Sequence, residues 1–205
     1  MATTVKAAHP ARLPLVKTPL SLRIPPANLP AMSTKFIYAL ILTICGAIFN
    51  LLLYFTGFQT EKLATGQHLQ WLGLVMMFVV LWLGIRAVRD EAPEKGMSYG
   101  RGVGTGTLIA LYSGLMSSVY SFIHFKFINT EFADYQLALI RTKWEAAGLS
   151  EAKMEQAEKF TRMMMGPGVQ AFMTPIFVTI AGVICALIIA AFLKRTPPGA
   201  AQTAA

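Results

Sequence analysis

Long apolar runs separated by short polar stretches organise the chain. "FIYALILTICGAIFNLLLYFTGF" fills 36–58 without a charged residue. At about 1.5 Å of helical rise per residue it exceeds a hydrocarbon core of roughly 30 Å. "LQWLGLVMMFVVLWLGI" (69–85) is shorter but strongly apolar. Its Trp71 and Trp82 sit near the two ends, where amphipathic rings favour the headgroup level. A third and more polar run covers 103–127, and a fourth, "QAFMTPIFVTIAGVICALIIAAFL" (170–193), is closed by Lys194 and Arg195. Pro175 falls in the first two turns of that last run, where a kink or a helix start fits better than a break. The pattern predicts an all-α integral membrane protein with four transmembrane helices and a helical extramembrane loop, 129–165, between the third and fourth.

Composition sharpens this reading. Of 205 residues, 55% are apolar and 14% charged, against about 25% charged in soluble domains. The net charge of +8 is spread over tail and loops rather than gathered in one patch, which suits membrane orientation and not nucleic acid. Lys6, Arg12, Lys17, Arg23 and Lys35 precede the first span; Lys62 alone follows it; Arg86, Arg89, Lys95 and Arg101 lie after the second. The long third loop balances its bases with acids, and Lys194 and Arg195 close the fourth span. Rich, poor, rich and again rich is the expected distribution when both termini face the cytoplasm. Cys45 and Cys185 lie inside apolar runs and read as packing residues, not as a disulfide or metal framework.

Residues 1–31 hold six prolines and no acid, a composition that builds no packed domain. The expected organisation is a flexible basic tail over 1–34, a membrane domain over 35–196 and a disordered tail over 197–205. Met32 opens "MSTKFIYALIL", a natural cytoplasmic lead into a span, so 1–31 also reads as sequence upstream of the true start. A basic, acid-poor leader is compatible with an organelle address, whereas no apolar stretch before residue 36 suits a cleavable secretory signal.

"SYGRGVGTGTLIALYSG" (98–114) raises a nucleotide question and answers it negatively. The spacing matches neither a dinucleotide fingerprint nor a phosphate loop, and a charged segment precedes it instead of a strand. Gly102, Gly106, Ala110, Gly114 and Ser118 instead recur every fourth residue, so they form one slowly drifting ridge on a helix. Gly182, Ala186 and Ala190 make a shorter row in the fourth span. Lipid gives helices no hydrophobic reason to associate, so close backbone approach along such rows must supply it. Beside the ridge runs a polar stripe: Ser113, Ser117, Tyr120, Ser121 and His124. It fits helix–helix hydrogen bonding, or alternatively a hydrated path with His124 as its titrating group. Asn50 and Gln70 read as interhelical or interfacial hydrogen bonders.

No catalytic, cofactor-binding or metal-ligating set emerges from these residue types and spacings. The span interiors lack Asp, Glu, Lys and Arg, the groups that coupled carriers retain despite their cost in lipid, and His124 has no evident axial partner for haem. In the long loop, "NTEFADYQLALIRTKWEAAG" starts with Asn129 or Thr130 as N-cap and carries an apolar face of Phe132, Tyr135, Leu139, Ile140 and Trp144. A second helix from Ser150 has Met154, Ala157, Phe160 and Met164 at apolar positions, ahead of "GPG" at 166–168. Both helices suit the outer membrane surface, the end of the bundle or a docked partner.

The order of these parts resembles the bacterial four-helix membrane family catalogued as domain of unknown function 4199. "IRAVRDEAPEKGMSYGRGVGTG" (85–106), "FINTEFADY" (127–135) and "ALIIAAFLKR" (186–195) carry the resemblance, which covers roughly 33–196. It implies a prokaryotic inner-membrane protein with four helices and no assigned activity, and it transfers no catalytic residues. The expected function is a non-enzymatic interaction or accessory subunit, partnered by the bilayer and by another membrane protein or a second copy. The alternative is a passive small-molecule transporter or channel using the polar stripe.

Overall fold

The computed structural model describes residues 32–92 and 96–194. Residues 1–31 of the expected 1–34 tail, the C-terminal tail over 197–205, Lys95 and Arg195 lie outside them. Six α-helices follow in order: α1 (Thr34–Phe55), α2 (Leu63–Asp90), α3 (Tyr99–Ile123), α4 (Phe132–Ala146), α5 (Glu151–Met164) and α6 (Pro167–Leu193). A π-helical turn, His124–Ile128, prolongs α3. Helices α1, α2, α3 with its π turn, and α6 are each long and apolar enough to cross a membrane.

Local chemistry moves the span ends away from the hydropathy boundaries. The first apolar run extends to 58, yet α1 stops at Phe55 because Gly57 takes φ 81°. Phe58 N then donates to Leu53 O at 2.8 Å and Gly57 N to Tyr54 O at 3.0 Å, closing a Schellman motif. Helix α2 begins six residues before the apolar run and continues through Arg86, Arg89 and Asp90; hydropathy marks the lipid-crossing part of a helix, not its whole length. Ser98 caps α3, its hydroxyl accepting from Arg101 N at 3.3 Å. Pro167 starts α6 in its first turn, where a missing N–H costs nothing. Pro175 lies within the helix, which runs on past it.

Helices α1 and α3 run in the same direction: Phe36 packs on Tyr112, and eleven residues later in α1 the Ala47 carbonyl accepts from Tyr120. Helix α6 is antiparallel to α3, since Gly102 meets Ala190 and Gly114 meets Pro175. Helix α2 is antiparallel to α1, with Gly84 against Tyr38 and Gly73 near Phe49. One end of the bundle therefore collects the start of α1 and the end of α6. The α4–α5 hairpin belongs to the opposite end.

The two halves of the bundle differ in character. The apolar core occupies the half nearer the start of α1 and the end of α6, where Leu81, Ile85, Ile109 and Ile189 are fully buried. Outward faces are apolar as well: Ile41, Ile44, Ile48 and Leu52 on α1 and Ile176, Phe177 and Ile180 on α6 are exposed. A belt of this kind marks contact with the lipid bilayer. Cys45 is half-buried and Cys185 buried, both as free thiols.

The extramembrane hairpin departs from its local sequence signals. Helix α4 is capped at Glu131, not at Asn129 or Thr130, because Asn129 is 2% exposed and committed to tertiary hydrogen bonds. Its buried positions are Gln136 and Leu137, while Phe132, Tyr135, Leu139, Ile140 and Trp144 are half-buried. On α5 only Met154 is buried; Phe160 and Met164 are exposed. Gly148, at φ 72°, reverses the chain between the two helices. Arg141 then reaches Glu145 at 3.3 Å, Glu151 at 2.7 Å and Glu158 at 3.5 Å, and Arg162 reaches Asp134 at 2.7 Å.

Candidate functional site

The ridge of α3 and the small-residue row of α6 meet. A Cβ added to Gly102 would stand 2.9 Å from Ala190 Cβ, and one on Gly106 only 2.5 Å from Ala186 Cβ. One on Gly182 would collide with Ala110 Cβ, and one on Gly114 would reach Pro175 Cα at 2.9 Å. Ser118 ends the row with a hydrogen bond: its hydroxyl donates to Ala171 O at 2.6 Å. Proline at 175 has no N–H to offer the carbonyl four residues earlier, which is Ala171. Ser118 thus satisfies from α3 the acceptor that Pro175 leaves open in α6.

The stripe residues divide between two environments. Ser113 is buried, and its hydroxyl pairs with that of Thr43 on α1 at 3.1 Å. Ser117, Tyr120, Ser121 and His124 instead line a cavity of about 260 Å³ between α1, α3 and α6, together with Asn50, Phe125, Gln170 and Thr174. Asn50, Phe125 and Gln170 also border a larger cleft of about 480 Å³, whose wall includes Phe49, Gln59, Gln70, Phe132 and Gln136. The two share a wall and occupy the half of the bundle below α4.

A hydrogen-bonded chain fixes one side of this region. Gln59 Nε2 donates to Asn50 Oδ1 at 2.9 Å and to the Asn50 carbonyl at 3.2 Å. A backbone carbonyl only accepts, so this contact orients the Gln59 amide and turns Oε1 toward the bundle. There Oε1 accepts from His124 Nε2 at 3.0 Å and from Asn129 Nδ2 at 3.2 Å. His124 Nδ1 lies 3.2 Å from the Tyr120 hydroxyl, whose single proton can go to it or to Ala47 O, also at 3.2 Å. His124 is 0% exposed, with both ring nitrogens within hydrogen-bond distance of a side-chain partner. The π turn makes this possible, since Asn129 N reaches back to His124 O at 2.7 Å. Such turns insert an extra residue per turn and re-aim side chains.

Gln59, Gln136, Gln170 and Thr174 line these cavities, and Asn129 bonds to Gln59; sequence periodicity singles out none of the five. They come from a turn, two helices and the end of the π turn, and no spacing rule links them. Among the described residues, no three His, Cys, Asp or Glu side chains come together as a metal site. A family model described as "Protein of unknown function (DUF4199)" matches residues 37–195. No curated protein and no solved structure matches the chain.

Proposed function

The chain belongs to the DUF4199 family, and on that premise we propose that it is a non-enzymatic interaction or accessory protein. It works from the bacterial inner membrane with both termini in the cytoplasm, as the basic residues flanking the spans favour. The partner is another membrane protein or a second copy of the chain. The observation that carries this reading is the α4–α5 hairpin. Its ion pairs fasten two helices into one unit, and its second helix presents Phe160 at 61% exposure and Met163 at 59%. Methionine-rich apolar faces adapt to varied partner surfaces. A photoreactive residue at Met163, activated in native membranes, is expected to give a discrete protein adduct. Adducts to lipid alone, with the chain recovered as a monomer, contradict the reading.

A second reading, passive passage of a small molecule, has its own support. Four of the five stripe residues line the 260 Å³ cavity. The path stops at the apolar half, where Leu81, Ile109 and Ile189 close the bundle. Passage therefore requires α3 and α6 to part, and flux into proteoliposomes that survives a crosslink between those helices contradicts it.

A further inference from the structure

The larger cleft has a chemistry of its own, independent of any partner on α5. Asn50, Gln59, Gln70, Gln136 and Gln170 supply five primary amides to one wall system, and no Asp, Glu, Lys or Arg lines it. Two of the amides are locked by the chain that runs from Asn50 through Gln59 to His124. The other three, on Gln70, Gln136 and Gln170, make no side-chain hydrogen bond among the described residues. Gln136 is the telling one: it is only 9% exposed, faces the cleft and has no partner for its amide. Its amide atoms are not sealed, since among the described residues the buried side-chain atoms without a partner are Asn129 Oδ1 and Thr179 Oγ1; the Gln136 atoms stay open to the cleft, where water or a solute meets them.

We propose that this cleft is a binding site for an uncharged small molecule rich in hydroxyl or amide groups. An amide offers a donor and an acceptor side by side, which matches alcohols, amides and sugar hydroxyls alike. An ion entering here would lose its hydration without meeting a counter-charge, so the wall selects for neutral solutes. The titratable groups on the adjoining cavity are Tyr120 and His124, and both His124 ring nitrogens lie within hydrogen-bond distance of a side-chain partner. Phe49, Phe125 and Phe132 add apolar faces against which a ring can lie. The cavity volume falls within the roughly 300–1,000 Å³ of small-molecule sites. Ordered water is the competing occupant, and it would show no preference among solutes.

Calorimetric titration of the full chain in nanodiscs tests this with three related probes: N-acetylglucosamine, cationic glucosamine and anionic glucuronate. The neutral probe is expected to bind, and the charged ones at least about tenfold more weakly. Gln136→Leu is expected to weaken the neutral probe about 3- to 10-fold. Should that variant misfold, a reporter thiol at Gly73 serves in its place. Gly73 borders the cleft, and an added Cβ there meets Phe49 at an ordinary 3.5 Å. N-acetylglucosamine is expected to slow its reaction with a water-soluble maleimide. The proposal is overturned if N-acetylglucosamine neither binds nor protects, if the charged probes bind equally well, or if Gln136→Leu binds like the parent. Adduct formation at Met163 is read separately, so either conclusion can fail without the other.

Discussion

The Ser118 hydroxyl and the Ala171 carbonyl meet at 2.6 Å across the α3–α6 interface, and the bond exists because Pro175 cannot donate within its own helix. Ser118→Ala is expected to cost about 0.5–1.5 kcal/mol, the net worth of a part-buried hydrogen bond. In a Pro175→Ala background the same substitution should cost much less, since residue 175 then has an N–H for Ala171. A double-mutant cycle on stability in detergent measures the difference. Equal costs in both backgrounds would show that Ser118 does not serve that carbonyl.

Close approach along the small-residue row gives a second expectation. Gly182→Ala places a methyl against Ala110 and Gly106→Ala one at 2.5 Å from Ala186; overpacking of this kind costs about 1–3 kcal/mol. Gly104→Ala is the control, with nothing within 4 Å of the added carbon, and should be neutral or mildly stabilising as a helix substitution. Ala110→Gly should recover most of what Gly182→Ala loses. Thermal unfolding of the four variants in one detergent checks the set.

These two cases show how much was legible beforehand. The four-residue period of Gly102 to Ser118 is a local pattern, so a helical ridge can be read without a structure. The partner of each member cannot, and the role of Ser118 depends on a proline more than fifty residues away. The cleft was less legible still. Asn50, Gln70 and the stripe residues stand out as polar interruptions of apolar runs, whereas Gln136 and Gln170 sit in polar or mixed surroundings where another amide attracts no notice. Asn129 misleads, because its position ahead of an amphipathic helix suits a cap and its tertiary bonds to Gln59 leave no local trace.

The Gln59–His124 bond supplies a third expectation. Gln59→Leu strands His124 Nε2 and Asn129 Nδ2 in the interior, at about 1–3 kcal/mol for each buried group. The loss should therefore exceed that of Thr60→Ala, whose hydroxyl bonds only the Gly57 carbonyl in the same turn at 3.3 Å. Comparable unfolding temperatures for the two variants would contradict the buried chain.

Solvent access along the stripe separates a closed chamber from a continuous path. Ser117 borders the cavity, while Ser113 is buried against Thr43. With Cys45 and Cys185 replaced, Ser117→Cys should react with a water-soluble thiol reagent and Ser113→Cys should not. Equal labelling of both positions would indicate water reaching through the bundle.

The bundle sets its α4–α5 hairpin at the opposite end from the start of α1 and the end of α6, and the proposed topology extends this to both termini. Single cysteines in the same thiol-free background, at exposed Lys153 on α5 and at each terminus, test it most directly with an impermeant reagent on intact cells. The account predicts labelling at 153 in intact cells and at the termini only after permeabilisation. Termini labelled on opposite sides, or both labelled in intact cells with 153 protected, would contradict it.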